Sequence, residues 1–176
     1  MPTPSWDLAI TVFFLMGIAF GYILQRDKII ATLLSVYVAL IVTQAVSGNV
    51  HQFFQGDTTL FNQVWIRSNA NPITIRIIVF SLVIILLSAK SSFSAGKTKG
   101  ILSPIEIILY SFLTSGLILS SIFYFMPPES RDALVASSKM AKLVINYYAW
   151  WIIVPVIVMI VTGFFHKGSS SSSSSD

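Results

Sequence analysis

Residues 103–126 have the sequence SPIEIILYSFLTSGLILSSIFYFM, in which Glu106 is the one charged residue. The run is as long as the roughly 17 to 25 apolar residues with which a helix crosses a bilayer. Its start carries helix signals, because Ser103 can act as the N-cap, Pro104 suits the first helical position and Glu106 can complete a capping box. The stretch therefore predicts a transmembrane helix that begins at residue 104.

Four further apolar runs have a similar length. Together with the first they predict five spans, at residues 6–24, 29–46, 72–89, 104–126 and 147–165. Arg76 falls in the first turns of the third span, where its long side chain can snorkel back to the headgroups. The chain is 55% hydrophobic and 10% charged, whereas a soluble domain carries roughly 25% charged residues. We expect an all-α, polytopic membrane bundle that forms a single domain over residues 1–167.

The segments outside the spans are less uniform. Residues 58–67 and 129–146 each allow two interpretations, a short helix that lies in the membrane interface or an irregular loop. Residues 168–176 contain a serine run and predict a disordered tail. All four tryptophans lie at or just outside the ends of predicted spans, as aromatic side chains do at a membrane interface: Trp6, Trp65, Trp150 and Trp151.

The charge distribution indicates a lipid partner rather than nucleic acid. The formal net charge is +4, but the basic residues form no dense stripe and lie near span ends, where anionic headgroups would meet them. One set, on the side of the carboxyl terminus, is Arg26, Lys28, Lys90, Lys97, Lys99 and Lys167. The opposite set is Arg67, Arg76, Arg131, Lys139 and Lys142. Because the first set lies in tight loops, we expect the amino terminus outside and the carboxyl terminus in the cytoplasm.

Catalytic patterns are missing from the sequence. The only histidines, His51 and His166, are predicted in loops on opposite sides of the membrane, so they cannot share a metal ion or a proton. The chain has no cysteine, no nucleophile elbow and no glycine-rich phosphate loop. We therefore expect no enzymatic activity, no catalytic residues, no cofactor and no metal.

Two carboxylates near span starts allow structural or functional interpretations. Asp7 and Glu106 both fall within the first turns of their predicted helices. A negative charge there is favoured by the helix dipole, and Glu106 can also serve the capping box. The alternative is a functional carboxylate, such as a substrate or proton site.

Small residues predict where helices pack closely. Gly17 and Gly21 form a Gly-x-x-x-Gly pair that suits either contact within the chain or a seam with a second copy or another membrane protein. The fourth span has a comparable small and polar face. Its members could hydrogen-bond to a neighbouring helix, or line a narrow wet path if several copies assembled: Ser111, Ser115, Gly116 and Ser120.

These features resemble the bacterial colicin V production protein family over about residues 5–125. The opening residues 5–10, SWDLAI, the pair Gly17 and Gly21, Arg26 and residues 33–35, LLS, are similar to the amino-terminal half of that family. Residues 100–103, GILS, followed by Glu106 and a long span with Gly116, are similar to its last membrane hairpin.

The resemblance implies an inner-membrane factor linked to bacteriocin production or export, a part of toxin biosynthesis, and to envelope maintenance. It matches Asp7, Gly17, Gly21 and Arg26 to the family's amino-terminal pattern. The chain departs from the family in three ways. Its fourth span lacks a glycine-rich, arginine-containing run, Glu106 stands where an aspartate is usual, and a fifth span follows.

Overall fold

The computed structural model describes the backbone of residues 5–24, 26–55, 72–90 and 104–168, with side chains at 5–23, 28–46, 73–90 and 104–163. Over these residues the chain is entirely helical, which confirms the all-α prediction. Seven helices lie in the described ranges: α1 (Trp6–Leu24), α2 (Arg26–Gln55), α3 (Pro72–Lys90), α4 (Pro104–Phe125), α5 (Pro128–Ser137), α6 (Lys139–Asn146) and α7 (Tyr148–Gly168).

Four of these helices, α1 to α4, are long and apolar enough to cross a membrane. The number rises to five if α6 and α7, which meet at a bend of 65°, are taken together as one broken span. α1, α3 and α4 begin and end close to the predicted boundaries because each is one long apolar run, and Pro72 and Pro104 mark the starts of α3 and α4.

The second helix is longer than its apolar run. α2 covers residues 26–55, whereas the hydropathy predicted 29–46, and only Lys28–Val46 has the composition of a span. The segment contains no proline, so no backbone N–H is missing and the helical hydrogen bonds continue past the apolar part. The prediction that His51 lies in a loop was therefore wrong, since His51 belongs to α2.

The region between the fourth and fifth predicted spans forms two short helices. α5 begins with Pro128 at its first position, and the backbone turns extended at Ser138 before α6 starts. The Ser138 hydroxyl accepts a hydrogen bond from the Ala141 N–H at 2.9 Å, which is the N-cap arrangement. Residues 58–67, for which either a short interfacial helix or an irregular loop was expected, and the predicted tail from residue 169 onward lie outside the described residues.

Helix α4 occupies the centre of the bundle. It packs against α1, α2, α3, α6 and α7. Of Pro104–Phe125, 61% is buried, against 11% of the corresponding stretches of α1 and α3. Leu117 contributes to a core shared with α2 and α3, and Phe123 to a second core shared with α1, α5 and α6. α1, α2 and α7 therefore adopt their positions relative to α4, whereas α3 packs mainly against α2.

The contact between α1 and α4 depends on matched small residues. A Cβ atom added at Gly21 would lie 2.5 Å from the Ser111 Cβ, and one added at Gly17 would lie 2.8 Å from the Ser115 Cβ. Both distances are far below a van der Waals contact, so only glycine lets the two backbones approach this closely. The two glycines and the two serines have the same spacing of four residues and meet in register.

We predict that Gly21→Ala destabilises the protein, although alanine is the better helix former. The methyl group must push α1 away from α4, an overpacking cost of about 1 to 3 kcal/mol. Thermal unfolding in mild detergent, followed by circular dichroism, measures the change.

Gly163→Ala is the matched control, because nothing lies within 4 Å of the added methyl group on α7. It should leave the unfolding temperature unchanged or raise it slightly, through the higher helix propensity of alanine. Equal behaviour of the two variants would show that the close approach of α1 and α4 is not limiting.

Candidate functional site

Asp7 joins the beginning of the chain to its last third. Its Oδ1 accepts hydrogen bonds from the Ser138 hydroxyl at 2.7 Å and from the Met140 N–H at 2.9 Å. The carboxylate thus lies in the first turn of α1 and also at the start of α6, and the dipoles of both helices favour its negative charge. Both hydrogen bonds are structural contacts within the chain.

The same end of the bundle carries a stack of two tyrosines. The rings of Tyr124 and Tyr148 lie 4.6 Å apart and are nearly parallel. The Arg131 guanidinium lies 6.0 Å from the centre of the Tyr124 ring, within the range of a cation–π contact. These contacts connect the end of α4 to α5 and to the start of α7.

Gly116 makes room for an indole. A Cβ atom at Gly116 would lie 2.8 Å from Cη2 of Trp151, so the glycine lets the ring come into direct contact with the α4 backbone. Phe112 lies 5.5 Å from the Trp151 ring and 4.9 Å from Phe14, centre to centre. The three rings connect α1, α4 and α7 at mid-bundle, at distances typical of favourable aromatic pairs.

Tyrosine hydroxyls attach α7 to two other helices. The hydroxyls of Tyr110 on α4 and Thr162 on α7 share a hydrogen bond, and the Thr162 hydroxyl also lies 2.9 Å from the carbonyl of Val158. Tyr37 on α2 donates to the carbonyl of Ile152. That carbonyl lies three residues before Pro155, which has no N–H to donate inside α7.

The serines of α4 use their hydroxyls locally. Ser111, Ser115 and Ser120 are buried, and they donate to the carbonyls of Ile107, Ser111 and Leu117 at 2.6, 2.8 and 3.1 Å. Their small volume, rather than a hydrogen bond to another helix, is what lets neighbouring helices approach. With Gly116, all four small residues of the predicted face are covered within one copy of the chain.

The structure describes the remaining candidate residues only in part. Glu106 is half-buried in the first turn of α4, and its Oε2 has no hydrogen-bond partner among the described residues. Ser103, its predicted capping partner, lies outside them. Arg26 begins α2, while its side chain and those of His51 and His166 lie outside the described set. Within that set no three His, Cys, Asp or Glu side chains are grouped to hold a metal.

A cleft of about 850 Å³ lies among α1, α2, α3 and α4, on the side of the bundle where α2 begins. Its lining is mainly apolar, with Lys28 from the start of α2 and several hydroxyls. The residues that line it are Phe13, Met16, Gly17, Phe20, Lys28, Ile29, Thr32, Ile84, Ile85, Ser88, Ala89, Ser111, Thr114, Ser115 and Ile118.

Comparison of the chain with protein-family models, with curated proteins and with solved structures finds no match.

We predict that Asp7→Asn loosens the start of α6. The amide keeps the size of the carboxylate but removes the negative charge that interacts favourably with the N–H groups at the start of that helix. Ser138→Ala should act at the same place, since loss of an N-cap costs about 1 kcal/mol. Hydrogen exchange measured by mass spectrometry in detergent should show faster exchange at Met140 and Ala141 in both variants.

The double variant tests whether the two side chains act together. If they do, it should exchange little faster than either single variant, because one change already breaks the shared contact. Asp132→Asn, at an exposed position on α5, is the control and should leave α6 protected. Unchanged protection of α6 in Asp7→Asn would show that the Asp7 carboxylate does not stabilise the start of that helix.

Proposed function

We propose that this chain is a multi-pass protein of the bacterial inner membrane that acts as a non-enzymatic scaffold or accessory subunit. Its resemblance to the colicin V production proteins suggests a link to bacteriocin production or export, or to envelope maintenance. The observation that carries the proposal is that three long-range polar contacts are made within one copy of the chain while large apolar side chains point outward. Asp7, Tyr37 and Tyr110 all contact other helices of the same copy.

The outward apolar surface is extensive. On α1 the exposed fraction is 62% for Leu15 and 75% for Ile23, and on α3 it is 65% for Ile85. Ile153 and Ile157 on α7 are each about half exposed. Surface of this kind needs lipid or another protein to cover it. A bundle that offers apolar faces and fixed helix geometry suits an assembly component in a bilayer.

The end of the bundle that carries Asp7 has the character of an interface. Trp6, Tyr147 and Trp150 are exposed there, as expected for an aromatic belt at headgroup level. The 65° bend sets α6 close to the membrane plane if α7 crosses the bilayer, and Lys139 and Lys142 on α6 are exposed. This arrangement supports α6 as an interfacial helix and α7, with 21 residues, as a fifth crossing of its own.

We predict that Ser130→Cys is labelled from outside and Lys90→Cys from the cytoplasm. Both positions are exposed and lie at opposite ends of the bundle, and the natural chain has no cysteine to interfere. A membrane-impermeant maleimide applied to spheroplasts should react with the first variant only, and inside-out vesicles should reverse the result. The opposite labelling would invert the orientation, and labelling of both from one side would contradict the five-span arrangement.

A small oligomeric pore is the second candidate, because the Ser, Thr and Gly face of α4 suits a narrow wet path. The burial of Ser115 and Gly116 within one copy favours the scaffold instead, since a pore between copies needs that face uncovered. Ion or solute flux into liposomes that is blocked by bulky side chains at these two positions, in protein that remains folded, would favour the pore.

For the scaffold we predict a specific protein contact on one outward face. A photocrosslinking amino acid at Leu15 or Ile157, two exposed positions on α1 and α7, should form a defined protein adduct at one site and lipid adducts at the other. Ile153 lies one turn from Ile157 on α7. Ile153→Ala should therefore weaken a protein adduct formed at Ile157 and leave one formed at Leu15 unchanged. Lipid adducts alone at both positions, with no envelope defect on deletion, would count against the scaffold.

A further inference from the structure

We propose that the cleft among α1, α2, α3 and α4 binds one anionic glycerophospholipid of the surrounding bilayer, with its headgroup at Lys28 and an acyl chain directed into the bundle. The proposal depends on the membrane location proposed above but not on the scaffold role. The cleft volume of about 850 Å³ falls within the usual range of pockets that enclose small organic ligands.

The lining of the cleft changes character with depth. The contacts of Gly21 with Ser111 and Ile29 place these residues at one level, next to Lys28. Ile118 lies seven residues further along α4, about 10 Å deeper at 1.5 Å per residue. At that depth Phe13 of α1 and Ile84 of α3 add only apolar surface. The cleft is therefore cationic at its outer end and apolar within. It complements a lipid with an anionic headgroup and an apolar acyl chain.

Four hydroxyls of the lining do not compete with Lys28 for an anion. Thr32, Ser111, Thr114 and Ser115 donate their protons to carbonyls of their own helices. The Lys28 ammonium group, on an exposed side chain, is thus the cationic donor among the described residues that line the cleft. Basic side chains between helices at the cytoplasmic surface are suited to anionic headgroups.

The walls of the cleft determine where its occupant comes from. Met16 and Phe20 on α1 line it and are 67% and 59% exposed, and Ile85 on α3 is 65% exposed. These side chains also belong to the outward apolar faces of α1 and α3. The cleft is thus continuous with the surface that meets lipid, and a bilayer lipid can enter sideways without crossing water.

Native mass spectrometry of the full chain, released from nanodiscs with equal amounts of phosphatidylglycerol and phosphatidylcholine of the same acyl chains, tests the proposal. We expect one retained lipid, with phosphatidylglycerol favoured about fivefold from a single lysine near the surface. Lys28→Gln should bring the two lipids to parity. Lys90→Gln, which removes an exposed charge at the same end outside the cleft, should keep the preference.

A second pair of variants tests the apolar part. Ile85→Trp fills the cleft and should abolish retention of either lipid, whereas Ile78→Trp, two turns earlier at an exposed position outside it, should not. Equal lipid retention by these two folded variants, or equal effects of the two lysine changes, would overturn the site. Membrane fractionation and the crosslinks from Leu15 and Ile157 report separately, so loss of the lipid site would be distinguishable from loss of the proposed scaffold role.

Discussion

The close approach of α1 and α4 is the constraint on which the rest of the bundle depends. In a bilayer no hydrophobic force drives two helices together, so they associate through tight packing and through polar contacts. Gly17 and Gly21 allow this by leaving space for Ser115 and Ser111, whose hydroxyls are already satisfied within α4. Two backbones thereby come together without burying an unpaired polar group.

The other contacts of α4 extend from this pair. With α1 held on one side, Gly116 offers a flat surface for Trp151 on another, and Phe14 and Phe112 complete the ring cluster between them. The hydroxyl of Tyr110 then holds the far half of α7. One helix thus positions its neighbours by small residues near its middle and by a long polar side chain near its start.

The sequence predicted the helices better than their partners. Apolar runs of bilayer length are nearly unambiguous, so the positions of α1, α3 and α4 followed from composition and from Pro72 and Pro104. Hydropathy describes which residues avoid water but not where a helical backbone stops. The extension of α2 to Gln55 and the bend before α7 therefore had no signal in the apolar pattern.

In the candidate site, too, the sequence identified some residues but not the contacts between distant helices. Gly17, Gly21, Ser111 and Ser115 were recognisable as packing residues, and their shared spacing of four could also have paired them. Tyr37 and Ile152 are 115 residues apart, and no local pattern identifies a hydrogen bond between them. Asp7 was expected to interact with the dipole of its own helix, and its contact with α6 required the tertiary structure.

The Asp7 contact also has a consequence for biosynthesis. Its partner Ser138 lies 131 residues later in the chain, and both sit at the same end of the bundle. Because a ribosome delivers the chain from its amino end, α1 to α4 are synthesised before this hydrogen bond can form. Asp7 can therefore reach its partners only after α6 has been synthesised, so this contact forms later than the packing of α1 against α4 can.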